Sequence, residues 1–133
     1  MKKTLFLALF LLTLSTKSFA VSSGDSASAS EYFSFNKPFV VNIMDNKRMR
    51  FLQIAMQMKL VDPTNAADIT HHKDAIRHNI IMLLSSQETR GLYSTTGKER
   101  LRRSALEEIK NALKGRADHV EIEDVFFTSF IIQ

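Results

Sequence analysis

No cysteine and no tryptophan occur among the 133 residues, and there are only four glycines and two prolines. Without cysteine there can be no disulfide staple, thiolate zinc site, cysteine nucleophile or lipid-modified cysteine. That lack does not fix the compartment, because exported proteins can also do without cysteine. The scarcity of breakers argues against a loop-dominated chain. No apolar run reaches the roughly 20 residues that a membrane-spanning helix needs. What is there is globular in kind, 44% hydrophobic and 24% charged, on a length that suits one domain.

The first twenty residues read differently from the rest. "MKKTLFLALFLLTLSTKSFA" has a basic start at Lys2 and Lys3, then an apolar run from Leu5 to about Leu14. Ser18 and Ala20 put small residues at the minus-three and minus-one positions of a cleavage site. This is the layout of a secretory signal peptide, residues 1–20, cut after Ala20. An uncleaved inner-membrane anchor is the alternative, and either reading puts the remainder outside the cytoplasm. Cleavage would also remove Lys2, Lys3 and Lys17 from a formal charge of +4, leaving a nearly neutral chain. Such a chain lacks the clustered basic footprint of a nucleic-acid binder.

Residues 21–30, "VSSGDSASAS", are small and polar and read as a flexible spacer. The folded domain is expected over residues 31–133. Tyr32 to Met44 has strand periodicity, with Phe33, Phe35, Phe39, Val41 and Ile43 on one parity. Pro38 withholds a backbone donor, which implies an edge strand or a bulge. "DNKR" at 45–48 is a turn. From Met49 to Val61, Leu52, Ile54, Met56, Met58 and Leu60 alternate with mostly polar residues, so the two strands should form an antiparallel hairpin. Asp62-Pro63 suits a helix start. A helix with a stripe of Ile69, Ile76, Ile80, Leu83 and Leu84 then runs from about Thr64 to Gln87. "TRGLYS" breaks it. A second helix opens at "TTGKE", with Thr96 and Glu99 at capping-box spacing, buries Leu101, Ala105, Ile109, Ala112 and Leu113, and stops at Gly115.

The chain ends on "VFFTSFIIQ", Val125 to Gln133, where both parities are apolar. A strand of that kind is usually covered on both faces. The expectation is a last core strand, with one face on the helices and the other under the curled hairpin or a second subunit. The order is therefore β-β-α-α-β, an α+β domain with two helices packed on a small sheet. Leu52, Ile54, Met56, Ile80, Leu84, Ile109, Phe126, Phe127 and Phe130 are expected in its core.

Catalytic patterns are absent. His71, His72 and His78 lie close together but lack the i,i+4 spacing of a helical metal pair, so no metal or cofactor is expected. There is no nucleophile elbow, phosphate-binding glycine loop or dinucleotide fingerprint. One oddity is "GKERLRR", which sets Lys98, Arg100, Arg102 and Arg103 in the first turns of the second helix. Cations there oppose the helix dipole. They read either as a solvated face, paired as Glu99–Arg103 and Arg103–Glu107, or as a patch that docks an acidic partner.

Taken in order, "FVVNI" at 39–43, "RFLQIAMQMKLVD" at 50–62, "IRHNIIMLLSSQ" at 76–87, "GKERLRRSALEEIKNAL" at 97–113 and the closing "VFFTSFIIQ" resemble the flagellar basal-body-associated FliL family. The resemblance runs from about Tyr32 to Gln133. It implies a non-enzymatic periplasmic domain like the core domain of stomatin-type proteins. It further implies association with the stator units of the flagellar motor and with basal-body proteins, together with self-association into rings. Lys98, Arg102 and Arg103 are the residues that could carry a partner contact. A typical member has a cytoplasmic segment and a true spanning helix before this domain. The N-terminal segment here departs from that, which suggests a soluble periplasmic relative working beside a membrane-anchored FliL protein. A periplasmic binding module or small enzyme on a reused fold is the alternative.

Overall fold

The computed structural model describes residues 31–133. The leader expected at 1–20 and the spacer at 21–30 lie outside the described residues. Four strands and three helices follow, in the order β1 (Tyr32–Ser34), β2 (Phe39–Asp45), β3 (Arg48–Leu60), α1 (Ala66–Ser85), α2 (Thr89–Leu92), α3 (Thr95–Leu113) and β4 (Ile122–Ile132). A 3₁₀ turn at Pro63–Asn65 leads into α1. The expected α+β arrangement of a small sheet with two long helices is the observed one. Among the described residues, no helix is long and apolar enough to cross a membrane.

β3 is the central strand. β4 pairs with it along one side, and β1 and β2 share the other, all antiparallel. The single strand expected over Tyr32 to Met44 is thus divided. Phe33 faces Met58 and Phe39 faces Ile54, so two extra residues loop out between β1 and β2. Pro38 sits in that break, where its missing N–H costs no ladder bond. Arg77 of α1 fastens the break by donating to the carbonyls of Lys37 (3.2 Å) and Pro38 (2.8 Å). Its guanidinium also lies 4.5 Å from the centre of the Phe39 ring. Because the extra residues number two, parity survives and Phe33, Phe35 and Phe39 stay on the core face. The β2–β3 turn is a two-residue loop, with Asn46 (φ 46°) and Lys47 (φ 71°) both left-handed as a type I′ turn requires.

Within the chain the last strand is covered on one face only, and the curled hairpin does not roof the other. β4 contains two bulges opposite β3, one where Thr128 is extra and one where Glu123 is extra. Each bulge shifts the alternation by one residue. Ile122, Val125, Phe127, Phe130 and Ile132 therefore all pair with the inward residues of β3, from Leu60 back to Leu52. Apolar residues of both parities converge on one face. The other face keeps Phe126 and Ile131, and neither is covered. Phe126, expected in the core, is 39% exposed and rests on the Tyr32 ring at 6.1 Å. Phe127 and Phe130 are half-buried at the core's margin.

Between sheet and helices lie Leu52, Ile54, Met56, Ile80, Leu84 and Ile109, all at most 2% exposed. Ile69, Ile76, Ile80 and Leu84 form the buried stripe of α1, and Leu101, Ala105, Ile109, Ala112 and Leu113 that of α3. The alanines of α3 present little bulk on the face it buries, which favours close packing of neighbouring elements. Asn79 of α1 also donates to the Glu108 carbonyl of α3 at 3.2 Å. Asp62 caps the 3₁₀ turn as expected, accepting from the Thr64 N–H. The cap of α3 is Ser94, whose hydroxyl accepts from the Gly97 N–H at 3.0 Å. It replaces the Thr96–Glu99 box, because the chain already turns helical at Thr95. The "TRGLYS" break is itself the short helix α2. Its buried Thr89 donates to the Met44 carbonyl at the end of β2, at 2.8 Å.

Candidate interaction surface

Three surfaces can be built up from the described residues. The first is the start of α3, where Lys98, Arg102 and Arg103 were expected to meet a partner. They are not brought together. Lys98 folds back so that its ammonium stands 5.0 Å from the centre of the Phe130 ring. Arg102 is mostly covered and engages the carboxylates of Glu99, one turn away, and Asp124, at the start of β4. Its Nε is 3.0 Å from both Glu99 oxygens. The Glu99 carboxyl is held below its usual range by the Arg102 hydrogen bonds, and the Arg102 guanidinium is raised chiefly by Glu99. Arg103 alone points to solvent, and it pairs with neither Glu99 nor Glu107 in the way the i,i+4 spacing suggests. The i,i+3 partner of Glu99 prevails because Arg102 can reach Asp124 at the same time. Lys98 and Arg102 thus offset their unfavourable place near the helix start by bonding α3 to β4.

Arg103 and Arg100 border a shallow groove of about 400 Å³ between the outer faces of α1 and α3, together with Leu83, Ser104, Glu107 and Glu108. A second hollow, about 430 Å³, lies at the β1–β2 break beside Lys73, Asp74 and Arg77. The polar contacts of Arg77 there go to backbone carbonyls. Among the described residues, no group of three or more His, Cys, Asp or Glu side chains is placed to hold a metal. His71 and His72 stack edge to face at 4.7 Å, and His119 instead meets Asp68 at 3.0 Å.

The third surface is the face of the sheet turned away from the helices, which sequence reasoning did not single out. Its register puts Met44 opposite Met49, Asn42 opposite Phe51, and Gln53 between Val40 and Ile131. Phe51 lies at the centre of this apolar end. Lys47 stands in the turn at its edge, whereas Arg48 and Arg50 fall on the opposite, helix-facing parity with Ile43 and Asp45, where Arg50 Nε is 3.4 Å from an Asp45 oxygen and too poorly aligned for a hydrogen bond. At the far end the Tyr32–Phe126 pair stands beside Lys59, whose ammonium lies 3.0 Å from both Glu31 and Glu123. Those two carboxylates, Glu123 first, raise the Lys59 ammonium well above its ordinary range. The signal was available in the sequence, since Val40, Met44, Met49 and Phe51 all fall on the outward parity of their strands. The pairing of strands was needed to make them one patch.

A family model described as flagellar basal body-associated protein FliL matches residues 32–133. A flagellar protein FliL from Aquifex aeolicus (strain VF5) is 24% identical over 101 residues, which is 76% of this chain and 60% of that relative. The match therefore spans less than two thirds of the length of that curated relative.

Proposed function

This chain belongs to the FliL family of flagellar basal body-associated proteins, and on that premise we propose that it serves the flagellar motor as a non-enzymatic, protein-binding domain. The family match over nearly the whole of residues 31–133 carries the reading. The domain acts in the periplasm, delivered there by the N-terminal segment, with cleavage after Ala20. It associates with stator units and with further copies of itself, and a membrane-anchored relative holds it near the motor. One feature supports a binding role: the sheet leaves one apolar face open, with Met49 and Phe51 exposed on it. A protein of this build acts through surfaces.

The test is deletion of the gene in a host with no second FliL-family protein, with swimming measured in viscous medium. Loss of motility under load is expected, and complementation should restore it. Normal swimming at high load would sink the flagellar reading. The mature N-terminus, read by mass spectrometry from the native host, should start at Val21. An intact Met1 in the membrane fraction would instead make the segment an anchor.

A further inference from the structure

We propose that the hollow at the β1–β2 break docks an extended, acidic segment of a partner protein. The segment adds along the free edge of β1 and sets an apolar side chain against Phe33 and Phe35, under the first turns of α1. The inference rests on the protein-binding role just proposed and names a site and the chemistry it takes. Three observations carry it.

The hollow has an aromatic wall that is already in place. Its volume is about 430 Å³, inside the roughly 300–1,000 Å³ of ligand-binding cavities. Phe33 meets Phe35 edge to face at 5.7 Å, and Phe35 meets Phe39 in the same way at 5.1 Å. Phe39 is buried, but Phe33 and Phe35 are only half-buried and line the hollow. The opposite wall is one stripe of α1, Thr70, Lys73 and Arg77, spaced three and then four residues apart. Arg77 holds the break in shape through the Lys37 and Pro38 carbonyls. A wall fixed beforehand loses little freedom on binding.

The hollow is also short of negative charge. Lys37, Lys73 and Arg77 line it against one carboxylate, Asp74. Lys37 and Lys73 form no ion pair among the described residues. A segment with carboxylates flanking its apolar residue supplies the missing partners, and a basic segment is repelled.

The backbone beside the hollow asks for an extended chain. The Leu60 N–H donates to the Glu31 carbonyl at 2.8 Å, and the Phe35 N–H donates to the Met56 carbonyl at 3.5 Å. β1 therefore pairs with β3 through its odd-numbered residues, and the residues between them turn their N–H and C=O the other way. Ser34 is such a residue, and it lines the hollow. Its hydroxyl is already engaged, accepting from Gln57 at 2.9 Å, so the backbone is what it offers. Among the described residues no strand lies beyond β1. An added strand satisfies such groups, whereas a helix keeps its backbone bonds to itself.

Titration of the isotope-labelled full chain with the peptide acetyl-TEFET-amide, followed in amide NMR spectra, tests this. The peptide should shift Ser34, Asn36, Thr70 and Lys73 saturably and slow hydrogen exchange at the Ser34 N–H. The peptides TKFKT and TEGET, with the same blocked ends, should bind at least tenfold more weakly. K37E/K73E should weaken TEFET binding at least tenfold, and D74N should tighten it. All three side chains are exposed, and near-ultraviolet circular dichroism should show the wild-type fold in both variants. Binding indifferent to these charges, or shifts confined to other parts of the domain, overturns the proposal. If 3-phenylpropanoate binds as tightly as the peptide and the Ser34 N–H gains no protection, the hollow takes a small organic anion and strand addition is overturned.

A second readout uses cells. K37E/K73E supplied to the deletion strain should restore swimming in viscous medium poorly, and full restoration overturns the proposal. No peptide binding, with swimming lost on deletion, would remove this site and leave the flagellar role standing. Peptide binding with normal swimming on deletion would do the reverse.

Discussion

The ammonium of Lys98 stands 5.0 Å from the centre of the Phe130 ring. This cation–π contact joins the first turn of α3 to the last strand and covers an aromatic side chain that would otherwise lie open at the margin of the core. It explains why a lysine is tolerated where the helix dipole disfavours one. It also removes Lys98 from the charges offered to a partner.

The two faces of the sheet should differ sharply in what they contribute to stability. Leu84→Ala, in the fully buried stripe of α1, should cost about 2–5 kcal/mol. Phe126→Ala, on the outer face, should cost less than about 1 kcal/mol in a monomeric sample, because most of what it loses is one ring contact. Urea denaturation of the two variants measures the contrast. Equal losses would mean that the outer face is covered within a single chain.

Arg102 and Arg103 are neighbours in sequence with different work. Arg102→Met should lower stability by about 1 kcal/mol, since it leaves Glu99 and Asp124 without their cation. Arg103→Ala should stay within about 0.5 kcal/mol. Thermal or urea melts at neutral pH report both.

Acid should erase the Arg102 effect. Glu99 is held below its ordinary value of 4.5 by Arg102. A depressed carboxyl contributes stability that is present above pH 4.5 and is lost as pH falls through its lower folded value. The gap between wild type and Arg102→Met should therefore be constant from pH 7 to about 5 and close below 4.5. A gap that widened in acid would contradict this pairing.

Gly97 should resist any side chain. A Cβ at that position would lie 1.7 Å from the Gly91 carbonyl oxygen, a backbone atom that cannot step aside cheaply. Gly97→Ala should cost roughly 1–3 kcal/mol, even though alanine is the better helix former. Gly115→Ala is a different case, because there the obstacle is a left-handed φ of 71° and no atom lies in the way. Circular dichroism melts of the two variants separate clash from backbone strain.

The bulge at Thr128 makes an unusual deletion tolerable. Removing Thr128 leaves Phe127, Phe130 and Ile132 in plain alternation on the core face, so the chain should stay folded with a loss under about 2 kcal/mol. Removing Ala55 from β3, where no residue is spare, throws Met56, Met58 and Leu60 to the wrong face and should unfold the domain. Near-ultraviolet circular dichroism distinguishes the outcomes.

Much of the fold is legible residue by residue. The alternation from Leu52 to Leu60 and the stripes on α1 and α3 are each a local repeat that one face of one element must bury. Asp62-Pro63 and Gly115 are local backbone chemistry. β4 is different. Its two apolar parities suggest cover on both sides, and nothing local says that Glu123 and Thr128 are extra. A bulge is defined by the strand opposite, so it becomes visible only once β3 is in place. Charges near the start of α3 mislead for a similar reason. The reach from Arg102 to Asp124 spans 22 positions of sequence, which spacing within one helix cannot anticipate.

By itself the sequence determined the long strands and the two long helices, which side of most of them is buried, and that the familiar catalytic motifs are missing. These follow from periodicity and residue type, which act over a few neighbours. Only the tertiary structure decided that β4 turns a single apolar face inward, that Lys98 and Arg102 serve the interior, and that Phe51 heads an open patch. Those outcomes depend on which strands lie side by side. Pairing brings distant residues together, and no short-range pattern encodes it.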